Sequence, residues 1–432
     1  MSRNNRRRRS AQQRTQLHHH TPRTHDETQR ESTYDLIRAG ITAAFGPTSD
    51  LRVLDRVVEQ LVRREAAGAD PVFTAGQFLD SSIDHAFSIG WQPAELIHAL
   101  RRELGPPTGR LVAALVSSHA SRTSARLHAP PAWVDQLDGL ELTPTVLGSE
   151  VLVRWRTTEN LRNAKGWKIA LTLMGRVSRL GSLPRLITPP SDWGSTGTPR
   201  TAKPESKVLN TIRGLLAKAE ATAYPAEAEA LSAKAQDLMT RYAIDHAVLD
   251  AQEHTSLSDL VSSRRILVDN PYPEAKVALL QSVSTANSVR TIWLQTYGLV
   301  TLVGMPVDLD LCDLLFTSLL VQSSLALKET GRDRDSRSTS FRRSFLLAYA
   351  SRIGERLMNA REQATRAASD DHGTAVVPIM AERAEAIGNV FDEMFPRTTP
   401  VAHSITNPSG WVAGLVAAET ADITGGRDKI DR

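Results

Sequence analysis

Between Arg332 and Arg366 the chain holds nine arginines against four acids, Asp333, Asp335, Glu355 and Glu362. Five of the arginines, Arg342, Arg343, Arg352, Arg356 and Arg361, fall on one helical stretch. They lie beside an apolar stripe of Phe341, Phe345, Tyr349, Ile353 and Leu357. A planar guanidinium makes bidentate bonds to phosphate, and a cluster of them draws a polyanion by releasing its counterions. These five are therefore the candidate nucleic-acid contacts. The other reading of the same pattern is a solvated face laced by local Glu–Arg pairs.

Acids come next. "VDLDLCD" supplies Asp308, Asp310 and Asp313, and "SDDH" supplies Asp370, Asp371 and His372. Acids so grouped could hold Mg²⁺ for phosphodiester cleavage, but acids at a helix start usually serve the helix dipole. The chain has no HExxH, no GxSxG, no P-loop and no GxGxxG leading from strand to helix. No catalytic, cofactor-binding or metal-binding residue is assigned, and no cofactor is expected. The segment "AFSIGWQPAELIHALRR" partly fits a helix-turn-helix, with Ala86, Ile89, Gly90, Trp91 and Leu96 in its small, turn and core places. His98, Arg101 and Arg102 would then lie on the groove-facing helix, although His85 stands where an apolar residue is wanted, and an ordinary packing corner between two helices is the favoured reading.

Charge distribution narrows the partner. Residues 1–31 carry eight arginines against Asp26, Glu27 and Glu31, while the whole chain is only +4. The basicity belongs to the tail and the body is nearly neutral. That tail has almost no apolar residue, so it is expected to be disordered. The His18–His19–His20 triplet within it reads as solvated. The single cysteine, Cys312, rules out an internal disulfide and a cysteine-based zinc cluster, and its apolar surroundings suggest burial. No apolar stretch follows the N-terminal arginines as in an export signal. "LLFTSLLVQSSLALK" is short and broken by Ser, Thr and Gln, so no membrane span is expected and the protein is read as cytoplasmic.

The elements that would position these groups are mostly helical. Residues 32–187 read as a helical N-terminal region, including "SDLRVLDRVVEQLVRREAAG" with Ser49 or Asp50 as cap and Gly68 as stop. Pro93 suits the first turn of a helix, and residues 151–180 are helix-like with Gly166 and Gly175 inside. "TPPSDWGSTGTPRTAKPES", residues 188–206, is the linker. Beyond 256 the period changes. "RRILVD" reads as a strand, "PEAKVALLQSVSTAN" as a helix, and "VRTIWLQTYGLVTLVGM" as two strands around "QTYG". Two long helices complete an α+β domain over 256–368, and residues 369–432 form C-terminal helices and a tail.

The most regular stretch is residues 207–250. Val208, Ile212, Leu215, Leu216 and Ala219 make one helical stripe; Ala228, Leu231, Ala235, Leu238, Met239 and Tyr242 make a second, with Pro225 opening it. The two helices should pack as an antiparallel hairpin. Its polar residues Lys207, Arg213, Glu227 and Gln236 could form a binding face. Alternatively, Arg213 pairs with Glu227 across the hairpin and Gln236 satisfies a backbone group.

This stretch resembles the bacterial and phage family called domain of unknown function 2786. The pattern of that family falls here on Lys207, Ile212, Arg213, Leu215, Leu216, Glu227, Ala228, Ala235, Gln236, Leu238, Met239 and Tyr242. The region after it is similar to the companion domain that commonly follows, with Ala348 in "SFLLAY" where a glycine is expected. The resemblance covers roughly the last half of the chain. It implies an architecture and brings no activity or cofactor.

The expected fold is mainly α and multidomain, with a small α+β domain and its β-hairpin near the C-terminus. The expected function is a non-enzymatic binding protein associated with DNA or RNA through the basic tail and the arginine helix. The alternatives are an enzyme acting on nucleic acid or a phosphorylated substrate, and an adaptor whose protein partner docks on the hairpin.

Overall fold

The computed structural model describes residues 25–45, 50–140, 150–194, 207–222, 225–252, 256–330, 335–372, 376–399 and 406–420. The chain divides into two compact units, Met1–Gly197 and Thr198–Arg432. It is mainly α, and among the described residues one small antiparallel sheet lies in the second unit.

The first unit contains α1 (His25–Phe45), α2 (Leu51–Ala66), α3 (Pro71–Ser88), α4 (Pro93–Leu104), α5 (Pro106–Arg122), α6 (Ala125–His128), α7 (Pro131–Gly139), α8 (Glu150–Thr158) and α9 (Asn163–Val177). α1 begins at His25, seven residues inside the segment expected to lack structure. The basic residues before it lie outside the described residues. Asp50 caps α2, accepting from the Arg52 and Val53 amides at 2.8 and 3.3 Å. Gly68 follows that helix at φ +79, a conformation glycine adopts without penalty. Leu54, Leu61, Leu79, Trp91, Leu100 and Trp167 are fully or almost fully buried in the core. Inside it, Glu65 accepts two bonds from Arg156, at 2.6 and 3.1 Å, and one from the Trp167 indole at 2.9 Å. Burial raises the pKa of this carboxylate, but its three bonds win and leave it below the ordinary value.

Of the two readings of the helix–turn–helix segment, the geometry fits the packing corner. The turn after α3 is there, with Gly90 at φ +96, but a Cβ on Gly90 would lie 2.1 Å from the Leu183 carbonyl oxygen. α4 buries Glu95, Leu96, His98, Ala99 and Leu100. Burial takes most of the first two turns of this helix, His98 included, and leaves Arg101 exposed near its end. The motif is a packing corner. The start of the expected linker is also packed: Trp193 donates to the Thr188 carbonyl at 3.1 Å, and its ring meets Trp133 edge-on.

The second unit opens with α10 (Lys207–Ala221) and α11 (Pro225–Gln252). Then come α12 (Leu257–Leu260), β1 (Ser262–Leu267), α13 (Pro273–Ala286), β2 (Arg290–Leu294), β3 (Leu299–Gly304), α14 (Pro306–Thr330), α15 (Thr339–His372), α16 (Val376–Met394) and α17 (Pro408–Thr420). Ile212, Leu216, Ala219, Ala235 and Met239 of the two hairpin stripes are buried, with Leu215 and Tyr242 partly buried. Ala228 lies outside the described side chains.

The sheet has strand order β1–β3–β2, all antiparallel, with Ser262 opposite Gly304 and Arg290 opposite Val303. Gly298, at φ +66, closes the turn between β2 and β3. Val300 and Leu302 of β3 face a core built from α13, α14 and α15. Val303 faces Ile387 and Phe391 of α16. α16 therefore covers the second side of the sheet. α14 is long and apolar enough to cross a bilayer by length and composition, and its Leu311, Leu315 and Leu319 form part of this core.

Candidate functional site

α15 packs against α13, α17, α11 and α14, and this decides where its arginines point. Arg343 binds Glu274, in the first turn of α13, through Nε at 2.9 Å and a terminal nitrogen at 2.5 Å. Arg352 bonds Glu355 of its own helix at 2.5 Å. Arg356 is buried and donates to the Ala418 carbonyl of α17. Arg361 closes the C-terminal end of α13, donating to the Thr285 and Ala286 carbonyls at 3.1 and 3.2 Å and to Ser288 Oγ at 2.5 Å. Burial pulls the Arg361 guanidinium below its ordinary pKa, and the nearby Asp308 charge opposes this. Arg342 is partly buried and its Nε has no acceptor. The five do not form one exposed stripe. Several of them serve neighbouring helices, because a helix enclosed on several sides has little surface to offer a polyanion.

The hairpin residues separate in the same way. Lys207 and Arg213 are exposed, and Arg213 donates to Asn210 Oδ1 at 3.2 Å. Glu227 is bound by Lys218 at 2.9 Å and by the Thr222 hydroxyl at 2.7 Å, which holds its carboxyl below the ordinary range. The contact that closes the hairpin is thus Lys218–Glu227. Gln236 is fully buried and donates to Asn287 Oδ1 at 3.1 Å and Thr240 Oγ1 at 3.3 Å. Its Oε1 has no partner. Asn287, just beyond α13, in turn donates to the Val283 carbonyl at 2.9 Å.

Near this junction lies an ion pair that the sequence did not suggest. Arg383 of α16 reaches Asp308 of α14 at 2.9 Å and the Ala243 carbonyl of α11 at 2.9 Å. Burial pushes the Asp308 carboxyl up to about 6, against the opposing charges of Arg383 and Arg361. Burial also raises the Cys312 thiol well above its ordinary value. Asp310 and Asp313 both bind Arg264 of β1. Asp370 is exposed on α15, and the Asp371 and His372 side chains lie outside those described. Among the described residues no three His, Cys, Asp or Glu come together as a metal site.

Among the described residues of the second unit, a groove of about 800 Å³ runs along β2, an edge strand of the sheet. Val277, Gln281 and Thr285 of α13 form one wall; Phe391, Asp392, Arg397, Thr398 and Thr399, at and beyond the end of α16, form the other. Strand alternation sends Arg290 and Ile292 toward α16, and Thr291 and Trp293 toward α13. The Arg290 guanidinium sits over the Phe391 ring, 5.4 Å from its centre. Arg397 is exposed. Among the described residues neither arginine is paired with a carboxylate, and the lining holds two arginines against one acid, Asp392. Trp293 is partly buried, with its Nε1 lacking an acceptor. Neither Arg290 nor Arg397 stands out in the sequence, because each is alone in its segment. The cues were the Arg-Thr-Ile-Trp alternation and the hydroxyl-rich "FPRTTP" after an apolar helix.

No curated protein and no solved structure matches the chain. The likeness expected for the α+β region and the last helices lies outside what the family comparison matches. Residues 207–246, the α10–α11 hairpin, match a family described as a protein of unknown function, DUF2786.

Proposed function

We propose that this chain is a non-enzymatic, cytoplasmic binding protein that associates with nucleic acid. The basic N-terminal residues supply sequence-independent attraction, and the groove along β2 supplies a positioned contact. The observation that carries the reading is the pairing of Arg290 and Arg397, neither matched by a carboxylate, with Trp293 in one concavity. Cations place a phosphate backbone, while an aromatic ring offers a face to any base. A binding role is favoured over catalysis because Asp308, Asp310 and Asp313 already face arginines. A protein partner is the second reading, favoured by the open backbone edge of β2, which could pair with an added strand. The test is binding of the full chain and of an Arg290→Gln/Arg397→Gln variant to DNA and RNA. A folded variant that binds both as the parent does would remove the groove from the account.

A further inference from the structure

Resting on that nucleic-acid reading, we infer that the groove along β2 takes a single strand and not a duplex. Its volume of about 800 Å³ is the first reason. Cavities of roughly 300–1,000 Å³ enclose one compact ligand. A double helix is broad and convex, with its bases turned inward, and meets such a concavity only at its rim. A single strand can enter and turn unstacked bases toward the walls.

Length gives the second reason. β2 has five residues, which at about 3.3 Å each make a floor of roughly 16 Å. A floor this short suits a few nucleotides, as on sheet-based single-strand readers, whose aromatics stack about two or three bases.

Chemistry gives the third. Arg290 is held in place by the Phe391 ring, and Arg397 stands on the wall formed beyond α16. Both line the groove and can each take a phosphate. Trp293 packs partly against the core on the α13 side and lines the groove with the remainder of its ring, where a base can stack in a sequence-tolerant way. Gln281, Thr291 and Thr398 add amide and hydroxyl groups at the walls that can bond to sugar or base edges. A duplex would leave the tryptophan unused, since its bases are already stacked on one another.

The experiment measures anisotropy of a labelled oligothymidylate and of a duplex of equal length with the full chain and four variants. These are Arg290→Gln/Arg397→Gln, Arg397→Gln, Trp293→Leu and Trp293→Phe. Arg397 is exposed beyond α16, so its substitution leaves the core untouched. The single strand should bind more tightly than the duplex. The arginine pair should lower its affinity and make its log–log salt slope shallower by about 0.7 for each phosphate no longer neutralised. Trp293→Leu should weaken it roughly tenfold without changing that slope, and Trp293→Phe should keep most of the affinity. If the duplex binds equally well and weakens as much with the arginine pair, the single-strand inference falls while the nucleic-acid reading stands. If neither ligand responds to the arginine substitutions, the nucleic-acid reading of the groove falls with it.

Discussion

Asp308 and Arg383 meet at 2.9 Å with side chains only 4% and 2% exposed, joining the start of α14 to the middle of α16. Removing two charges from water costs several kcal/mol per ion, and a close bond repays this only in part. Burial accordingly pushes the Asp308 carboxyl from 3.8 to about 6. A raised carboxyl means that the folded state holds more protons than the unfolded state between those values. This group's contribution is therefore full below 3.8 and is lost as pH rises through about 6, a change on the order of 3 kcal/mol. In Arg383→Met the carboxylate would stay buried without its partner. Destabilisation of about 3–5 kcal/mol is expected at pH 7.5, and less at pH 4.5, where the carboxyl is protonated. Urea unfolding at the two pH values measures both; an equal cost at each would contradict the assigned protonation.

Gln236 should act through packing. Gln236→Leu removes its bonds to Asn287 and Thr240 in a fully buried place, at a cost of about 1–3 kcal/mol. Hydrogen exchange should quicken in α10 and α11. Exchange confined to α13 would place its role elsewhere.

Arg356 should prove structural, despite its place among the arginines of α15. Arg356→Gln takes the donor from the buried Ala418 carbonyl and should cost about 1–3 kcal/mol. Nucleic-acid affinity of the folded variant should not change. Weaker binding at unchanged stability would return α15 to the ligand.

Gly414 marks a close approach of α17 to α15. A Cβ there would fall 2.2 Å from the Phe345 carbonyl oxygen and 2.9 Å from Ala348 Cβ, so Gly414→Ala must push the helices apart. A loss of about 1–3 kcal/mol is expected. At Gly388, in α16, a Cβ would meet nothing within 4 Å, and Gly388→Ala should gain about 0.5–1 kcal/mol from helix propensity. Thermal unfolding that moves both the same way would refute the close packing of α15 and α17.

Local rules made much of the fold legible. Asp50 caps α2, Pro93 opens α4, and Gly298 turns β2 into β3, each where backbone chemistry requires it. The hairpin stripe was legible too, since Ile212 and Leu216 are buried as a three-to-four spacing demands. What periodicity could not give is how many sides of a helix are covered. Phe341, Phe345, Tyr349 and Ile353 mark one side of α15, yet Leu347, Ala348 and Ala350 are buried too, which leaves Arg343, Arg356 and Arg361 to bond neighbouring elements. The groove was hidden for a related reason. Arg290 and Arg397 come from distant segments, and only the placement of α16 across the sheet brings them to one cavity.

The most direct test of the central claim is a salt titration of single-stranded DNA binding by the full chain, with and without Arg290→Gln/Arg397→Gln. Both proteins keep the basic N-terminal residues, so the difference between their slopes isolates the groove. The variant should bind more weakly, with a log–log slope shallower by about 1.4 for two arginines on phosphates. Identical affinity and slope in a folded variant would contradict that claim.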